Sequence, residues 1–146
     1  MADDVAMARH CRRLFAVARP KHDNPTPAEL EILHLLWGEN PLTVRQVMER
    51  LNRTRQRAYT SVMSLLNVMT DKCMLVRKAD GRAFVYSAAL AREQTLGEMV
   101  ADLLGRAFGG SAAALVTHVL EQASPDEDEL SEIRRTIRQY QQEQKE

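Results

Sequence analysis

The chain has 146 residues, 45% of them hydrophobic and 27% charged, and its 20 basic side chains balance its 20 acidic ones. This composition excludes an intrinsically disordered chain, and the length suits one small domain with an appendage. No apolar run approaches the roughly 20 residues of a membrane span, and the two cysteines are too few for a disulfide framework or a metal box, so a cytoplasmic location is expected.

The first 24 residues carry several arginines and few apolar positions, and the breaker cluster Lys21–Pro25 closes them. We expect a basic N-terminal arm over residues 1–24 that is mobile in solution. Two interpretations are open for this arm: it is a solvated tail, or it contacts the phosphate groups of a nucleic acid.

Two capped helices are expected next. Thr26 and Glu29 form the pattern of a capping box at the start of the first helix, and Gly38 ends it. Thr43 and Gln46 repeat the pattern for a second, shorter helix. The expected buried faces are Leu30, Leu33, Leu36 and Trp37 in the first helix, and Val44, Val47, Met48 and Leu51 in the second.

A third helix is predicted from about Arg55 to Lys72. Its outward face carries small hydrogen-bonding side chains, whereas a solvated helix usually carries pairs of glutamate and lysine. Tyr59 and Met63 are expected to pack against the rest of the domain. The expected buried face is Ala58, Val62, Leu65, Leu66 and Met69.

A β-hairpin is predicted after the third helix, because two β-prone runs, residues 74–78 and 83–87, flank an Asp80-Gly81 turn. Its tip should be basic through Arg77, Lys78 and Arg82. Three short helices followed by such a hairpin are the order of a winged helix-turn-helix. The sequence therefore predicts a mainly α fold with a winged-helix domain over residues 25–88.

In a winged helix-turn-helix the helix after the turn lies in the major groove of DNA. Hydroxyl and amide side chains on that helix can bond to bases, and arginine or lysine can bond to phosphates. The alternative is a winged-helix module whose basic face binds an acidic protein. The candidate DNA-binding residues are Arg45, Arg55, Arg57, Thr60, Ser61, Ser64, Asn67, Lys78 and Arg82.

Three further helices are predicted over residues 90–108, 111–123 and 125–141, each with one apolar stripe. Burial of these stripes in a second copy would make residues 89–146 a dimerisation region. An intramolecular bundle in a monomer is the alternative. The candidate dimerisation residues are Leu96, Met99, Val100, Leu103, Leu104, Leu115, Val116, Val119, Leu120, Leu130, Ile133 and Ile137.

The zero net charge is a cancellation between two parts of the chain. Residues 43–82 hold nine basic and three acidic side chains, a net charge of +6, whereas residues 91–146 have a net charge of −5. Such asymmetry favours a polyanion-binding module joined to a part with another role, although charge also fluctuates by chance along any sequence.

Catalytic motifs are missing from the sequence. The four histidines are scattered, no metal-ligand spacing occurs, and the glycine pair at 109–110 reads as a break between helices and not as a phosphate loop. We expect a protein that is not an enzyme and that needs no cofactor and no metal.

Four blocks of the sequence resemble the penicillinase repressor family, which also contains methicillin-resistance and copper-transport repressors. They are Thr26–Trp37, Leu42–Val47, Arg57–Met63 and Gly81–Tyr86, and the whole resemblance covers about residues 26 to 140. It implies a dimeric winged-helix repressor of β-lactam or other antibiotic and stress-response genes, bound to inverted repeats containing TACA/TGTA. It also implies relief of repression when a membrane sensor metalloprotease cuts the dimerisation region.

The sequence departs from the family pattern at several positions. Val68 replaces the usual arginine of the third helix, and Cys73 replaces the usual glycine after it. The clustered C-terminal cysteines of the copper branch are absent, which favours the antibiotic-resistance branch. The cleavage-prone segment of that branch would align near Gly110, Ser111 and Ala112, where Ser111-Ala112 replaces its Asn-Phe bond.

Overall fold

The structure is a computed structural model that describes residues 24–146. The expected N-terminal arm, residues 1–24, lies outside the described residues except for Asn24. The chain divides into two compact units, of which the first ends at Met99 and the second is Val100–Glu146. The predicted fold class is confirmed, because the described residues form mainly helices with one small antiparallel sheet.

Two capped helices begin the first unit, α1 (Pro27–Gly38) and α2 (Val44–Leu51). Both predicted capping boxes are present. At α1 the Glu29 backbone N–H donates to Thr26 Oγ1 over 3.3 Å, and the Thr26 N–H donates back to Glu29 Oε2 over 2.9 Å. Thr43 and Gln46 make the same reciprocal pair at α2. Each box supplies acceptors for backbone donors that a helix start leaves unpaired.

The third helix, α3 (Tyr59–Asp71), begins later than the sequence predicts. The Asn52 side chain accepts the Arg57 backbone N–H over 2.8 Å, and Ala58 has an extended backbone with ψ of 146°. The chain before Tyr59 is therefore held out of the helix. Ala58, expected on the buried face, is exposed as the N-cap residue.

The end of α3 turns at Cys73, which has a φ of 60°. The Met74 N–H closes this turn by donating to the Met69 carbonyl over 2.9 Å. This bond is typical of an α-helix that ends in one residue with a left-handed backbone, a position at which glycine is common. Cys73 thus has a left-handed backbone, which is uncommon for a residue other than glycine. Cys73 is also disulfide-bonded, which was not predicted from the sequence.

A three-stranded sheet completes the first unit, in the order β1 (Leu42–Thr43), β3 (Ala83–Ala88), β2 (Leu75–Asp80). The predicted hairpin is confirmed as β2 and β3, and we call it the wing. Its two-residue loop contains Gly81 at a φ of 61°. Strand β1 was not predicted, because two residues are too few to show alternation.

The hydrophobic core of the first unit lies between α1, α2, α3 and the sheet. Trp37 is half-buried beside it, and its indole N–H donates to the Leu90 carbonyl over 2.9 Å. Three helices and a wing on one core are the winged helix-turn-helix expected from the sequence. The buried hydrophobic cluster is Ile32, Leu33, Leu36, Leu42, Val44, Val47, Leu51, Val62, Leu66, Met69, Met74, Leu75 and Tyr86.

Three more helices follow, α4 (Arg92–Ala107), α5 (Ala112–Ala123) and α6 (Glu127–Glu143). In the second unit, residues 100–146, no residue is buried, although each helix carries an apolar stripe. No single helix in the described part of the chain is long and apolar enough to span a bilayer, and only the bent pair of α4 and α5 meets the length and composition criteria. Large apolar side chains that stay exposed in this unit are Val100, Leu103, Val116, Val119, Ile137 and Tyr140.

Candidate nucleic-acid interface

A groove of about 650 Å³ opens between α3, the first turn of α2 and the wing. We call it the wing groove. Three arginines, Arg45, Arg77 and Arg82, line it, and among the described residues that line it none is acidic. It therefore offers positive charge in a concave surface, which focuses the field on an approaching polyanion. The full lining is Thr43, Val44, Arg45, Tyr59, Met63, Asn67, Arg77, Arg82, Ala83, Phe84 and Tyr86.

Helix α3 presents two exposed rows of side chains to this side of the domain. Tyr59, Met63 and Asn67, spaced by four residues, line the wing groove. Thr60 and Ser64 form the neighbouring row, and both are exposed outside the groove. Ser61 is exposed as well. The predicted hydrogen-bonding residues of α3 are thus all accessible, and only Asn67 lies in the groove itself.

The structure exposes Tyr59 and Met63, which the sequence analysis expected to pack. Their exposed fractions are 44% and 38%. Helix α3 directs Val62, Leu66 and Met69 into the core, and the flank that carries Tyr59 and Met63 turns toward the wing. An apolar side chain on the flank of an amphipathic helix is buried only if a neighbouring element covers it, and sequence periodicity does not report that.

The wing holds Arg77 in the groove by stacking. Its guanidinium carbon lies 4.5 Å from the centre of the Phe84 ring, a cation–π contact. Arg77 pairs with Tyr86 across the two strands, so Phe84 is its diagonal neighbour on the same face. Arg77 Nε is buried without a hydrogen-bond partner among the described residues. Arg77 lies within β2 and not at the tip of the hairpin, contrary to the prediction from the sequence.

The two other basic residues of the wing lie apart from each other. Arg82 stands in the turn and lines the groove. Lys78 follows Arg77 in β2 and so points to the opposite face of the strand, exposed and outside the groove. Neither has an ion-pair partner among the described residues, so both charges are available to a polyanion.

The arginines before α3 differ in their surroundings. Arg55 is exposed. Arg57 is half-buried, and its Nη2 lies 2.6 Å from Glu31 Oε2 on α1, while its Nη1 is buried without a partner in the described part of the chain. The pair attaches the segment before α3 to α1. Arg57 thus holds the segment before α3, and its charge is paired with that of Glu31.

An ion pair between the half-exposed Lys72 and the buried Glu29 holds the other end of α3. Lys72 Nζ lies 2.7 Å from Glu29 Oε1, and the Glu29 carboxylate is almost fully buried. Burial raises the pKa of Glu29, but the hydrogen bond from Lys72 and those from Thr26 outweigh it and hold that pKa below its usual value. Glu29 therefore closes the capping box of α1 and binds the end of α3 at once.

Of the eleven residues that line the wing groove, the candidate DNA-binding residues from the sequence include only Arg45, Asn67 and Arg82. The large side chains that this list omits are Tyr59, Met63, Arg77 and Phe84. The strand periodicity of the hairpin held a usable signal, because it puts Arg77 and Phe84 on one face at diagonal spacing. For Tyr59 and Met63 the four-residue spacing to Asn67 indicates a shared row on α3, but it does not show that this row is exposed. No group of three or more histidine, cysteine, aspartate or glutamate side chains in the described residues could hold a metal ion.

The family model described as penicillinase repressor matches residues 25–139 of this chain. The transcriptional regulator BlaI of Mycobacterium tuberculosis is 34% identical over 101 residues, which are 68% of this chain and 73% of that protein. The penicillinase repressor of Bacillus licheniformis is 22% identical over 119 residues, 82% of this chain and 93% of that protein.

Two solved structures are similar in outline. A MarR family protein from Bacillus stearothermophilus has a TM-score of 0.46 at 18% identity, covering 97% of this chain and 87% of that chain. A probable transcriptional regulator from Pseudomonas aeruginosa has a TM-score of 0.41 at 19% identity, covering 92% and 91%. The winged-helix assignment rests on the element order and sheet described above.

Proposed function

The chain belongs to the penicillinase repressor family, a family of DNA-binding transcriptional regulators, and on this premise we propose that it represses transcription as a homodimer bound to an inverted repeat in duplex DNA. The observation that carries the proposal is the wing groove, an arginine-lined concavity on one flank of the recognition helix α3. The resemblance of the sequence blocks supports TACA/TGTA half-sites. We place this activity in the cytoplasm.

In the proposed complex α3 enters the major groove of the duplex, and the wing lies along the adjacent backbone. Asn67, Thr60 and Ser64 are the exposed hydrogen-bonding groups that α3 offers to bases. The phosphate contacts fall to Arg45, Arg82 and Lys78, with Arg55 before the helix. Arg57 contributes chiefly by positioning the start of α3 through Glu31.

The homodimer is supported by the second unit. No side chain of residues 100–146 is fully buried within one chain, and α4, α5 and α6 expose valine, leucine and isoleucine along their stripes. Apolar area left in water costs roughly 25 cal/mol per Å², so a second copy that covers these stripes is the favourable arrangement. A two-fold dimer also presents two recognition helices to two half-sites.

We propose further that the regulated genes respond to antibiotics or stress, and that repression is relieved by proteolysis after a signal from a membrane sensor metalloprotease. The proposed cleavage segment is Gly110–Ala112, which spans the end of the break after α4 and the first residue of α5. All three residues are exposed, and Gly110 has a φ of 84° in the break. An exposed break between helices is a usual site of proteolytic cutting.

The test is a fluorescence-anisotropy titration of a TACA/TGTA inverted-repeat duplex and a scrambled duplex at 50 and 200 mM salt. We expect tighter binding to the repeat at both salt concentrations, and weaker binding of both duplexes at the higher one, because phosphate contacts release counterions. Equal affinity for the two duplexes would contradict specific operator binding. Absence of any salt-dependent binding would favour the alternative, a basic surface for an acidic protein.

A further inference from the structure

Three aromatic or apolar side chains line the wing groove, and of these only Phe84 has a contact described so far, with Arg77. Tyr59 and Met63 of α3 and Phe84 of β3 are each about two-fifths exposed. Single exposed apolar residues are ordinary, but these three line one concavity together with three arginines. An apolar patch enclosed by positive charge fits a ligand that is itself anionic with an apolar group within reach.

Duplex DNA meets that description in its major groove. The 5-methyl group of thymine is the apolar group that base edges present there, and side chains contact it by packing. Methionine suits such a contact, because its unbranched thioether adapts to the available shape. Met63 lies in the middle of the α3 row, one turn from Tyr59 and one turn from Asn67.

We propose that Met63 is a specificity-determining residue, which reads a thymine methyl group in the major groove, with Tyr59 flanking it. This inference rests on the DNA-binding function proposed above. Asn67, one turn further along the same row, has the side-chain amide that pairs with the N6 and N7 edge of adenine. The row thus selects thymine beside an adenine contact, whereas the neighbouring Thr60 and Ser64 row tolerates several bases.

Replacing thymine with deoxyuridine removes the methyl group and leaves base pairing and hydrogen-bonding edges unchanged. The probe is the duplex that the wild-type protein itself selects from a randomised pool, prepared once with thymine and once with deoxyuridine. We expect the wild-type protein to bind the deoxyuridine duplex at least about fourfold more weakly, the loss that corresponds to one buried methyl group.

Met63→Ala should bind the two duplexes with nearly equal affinity, because the side chain that contacts the methyl group is gone. Val76→Ala is the matched control, since Val76 is also exposed but lies on β2 outside the wing groove. It should keep the wild-type preference for thymine. Circular dichroism of both variants confirms that they are folded.

The outcomes separate this inference from the function on which it rests. If the wild-type protein selects a duplex but binds its thymine and deoxyuridine forms equally, the role of Met63 is wrong and the proposed function stands. If Met63→Ala keeps the full preference, methyl reading belongs to another residue and the inference is overturned. If no duplex is selected above scrambled DNA, the proposed function itself fails.

Discussion

Glu29 connects two parts of the winged-helix unit, the start of α1 and the end of α3, through one carboxylate. One of its oxygens accepts the Thr26 backbone N–H at the start of α1, and the other lies 2.7 Å from Lys72 at the end of α3. A buried carboxylate without such partners would be strongly destabilising. The ion pair of Glu29 with Lys72 therefore helps to fix the position of α3 relative to α1, and the hydrogen bonds to both Glu29 oxygens offset the cost of burying the carboxylate.

Glu29→Gln should lower the free energy of unfolding by about 1–2 kcal/mol at neutral pH. Glutamine can keep the capping box through its carbonyl oxygen, but its amide nitrogen replaces the oxygen that accepts from Lys72, so the variant removes the charge and that hydrogen bond together. Because the pKa of Glu29 is lowered in the folded state, its stabilising contribution is complete above its ordinary value of 4.5. That contribution is lost as the pH falls through the lowered folded-state pKa.

Urea denaturation of wild type and Glu29→Gln at a series of pH values measures this difference. The two free energies of unfolding should converge in acid. Glu49→Gln is the control at an exposed glutamate, expected to change the unfolding free energy by less than about 0.5 kcal/mol. A Glu29→Gln difference that stays constant down to pH 2 would show that the charge has no such role.

Single residues also mark the limit of prediction from sequence. Thr26, Glu29, Thr43 and Gln46 revealed both capping boxes, because a box depends only on residues three apart. The partner of Glu29 is Lys72, 43 positions away, and no local pattern reports it. The exposure of Met63 was equally unpredictable, since it depends on where the wing lies.

Among the elements, the wing combines a predictable frame with an unpredicted contact. An Asp-Gly turn between β-prone runs fixed the hairpin in advance, and the register follows from the two-residue loop. The cation–π contact of Arg77 with Phe84 needed that register. The start of α3 was placed four residues too early, because the Asn52 side chain, and not a helix propensity, decides it.

Phe84→Ala should weaken binding to specific and scrambled duplexes alike, by about threefold. The stacking of Arg77 on the ring contributes about 0.5–1 kcal/mol at exposed sites, and without it the guanidinium no longer stays in the groove. Phe84→Tyr keeps the ring and serves as the matched control, with affinity near wild type. Anisotropy titrations of both variants give the comparison, and unchanged affinity of Phe84→Ala would show that Arg77 needs no such support.

At the scale of the whole molecule, the zero net charge is the sum of a basic part and an acidic part of the chain. The net charge of +6 over residues 43–82 coincides with the stretch that contains α3 and the wing, and the −5 over residues 91–146 covers the helices with unburied apolar stripes. Counting acidic and basic residues along the sequence was enough to predict this charge asymmetry. The sequence could not show that no side chain of residues 100–146 is fully buried within one chain, because burial depends on how the helices pack.

Val119→Asp should shift the protein toward monomers. Val119 is 49% exposed on the apolar stripe of α5, and a carboxylate there would be desolvated in a dimer interface. Thr117→Asp, exposed on the same helix but away from the stripe, is the matched control and should remain dimeric. Sedimentation velocity reports the outcome, and an unshifted Val119→Asp would remove α5 from the proposed interface.

The central claim is that a dimer of this winged helix binds two half-sites of an inverted repeat. It is tested most directly by titrating the wild-type protein against the intact repeat and against the same duplex with one half-site scrambled, with the stoichiometry read by sedimentation. We predict two chains on the intact repeat and at least a tenfold loss of affinity when one half-site is scrambled, since each mismatched base pair costs about 1–3 kcal/mol. Equal affinity for the two duplexes, with one chain bound to each, would contradict the account.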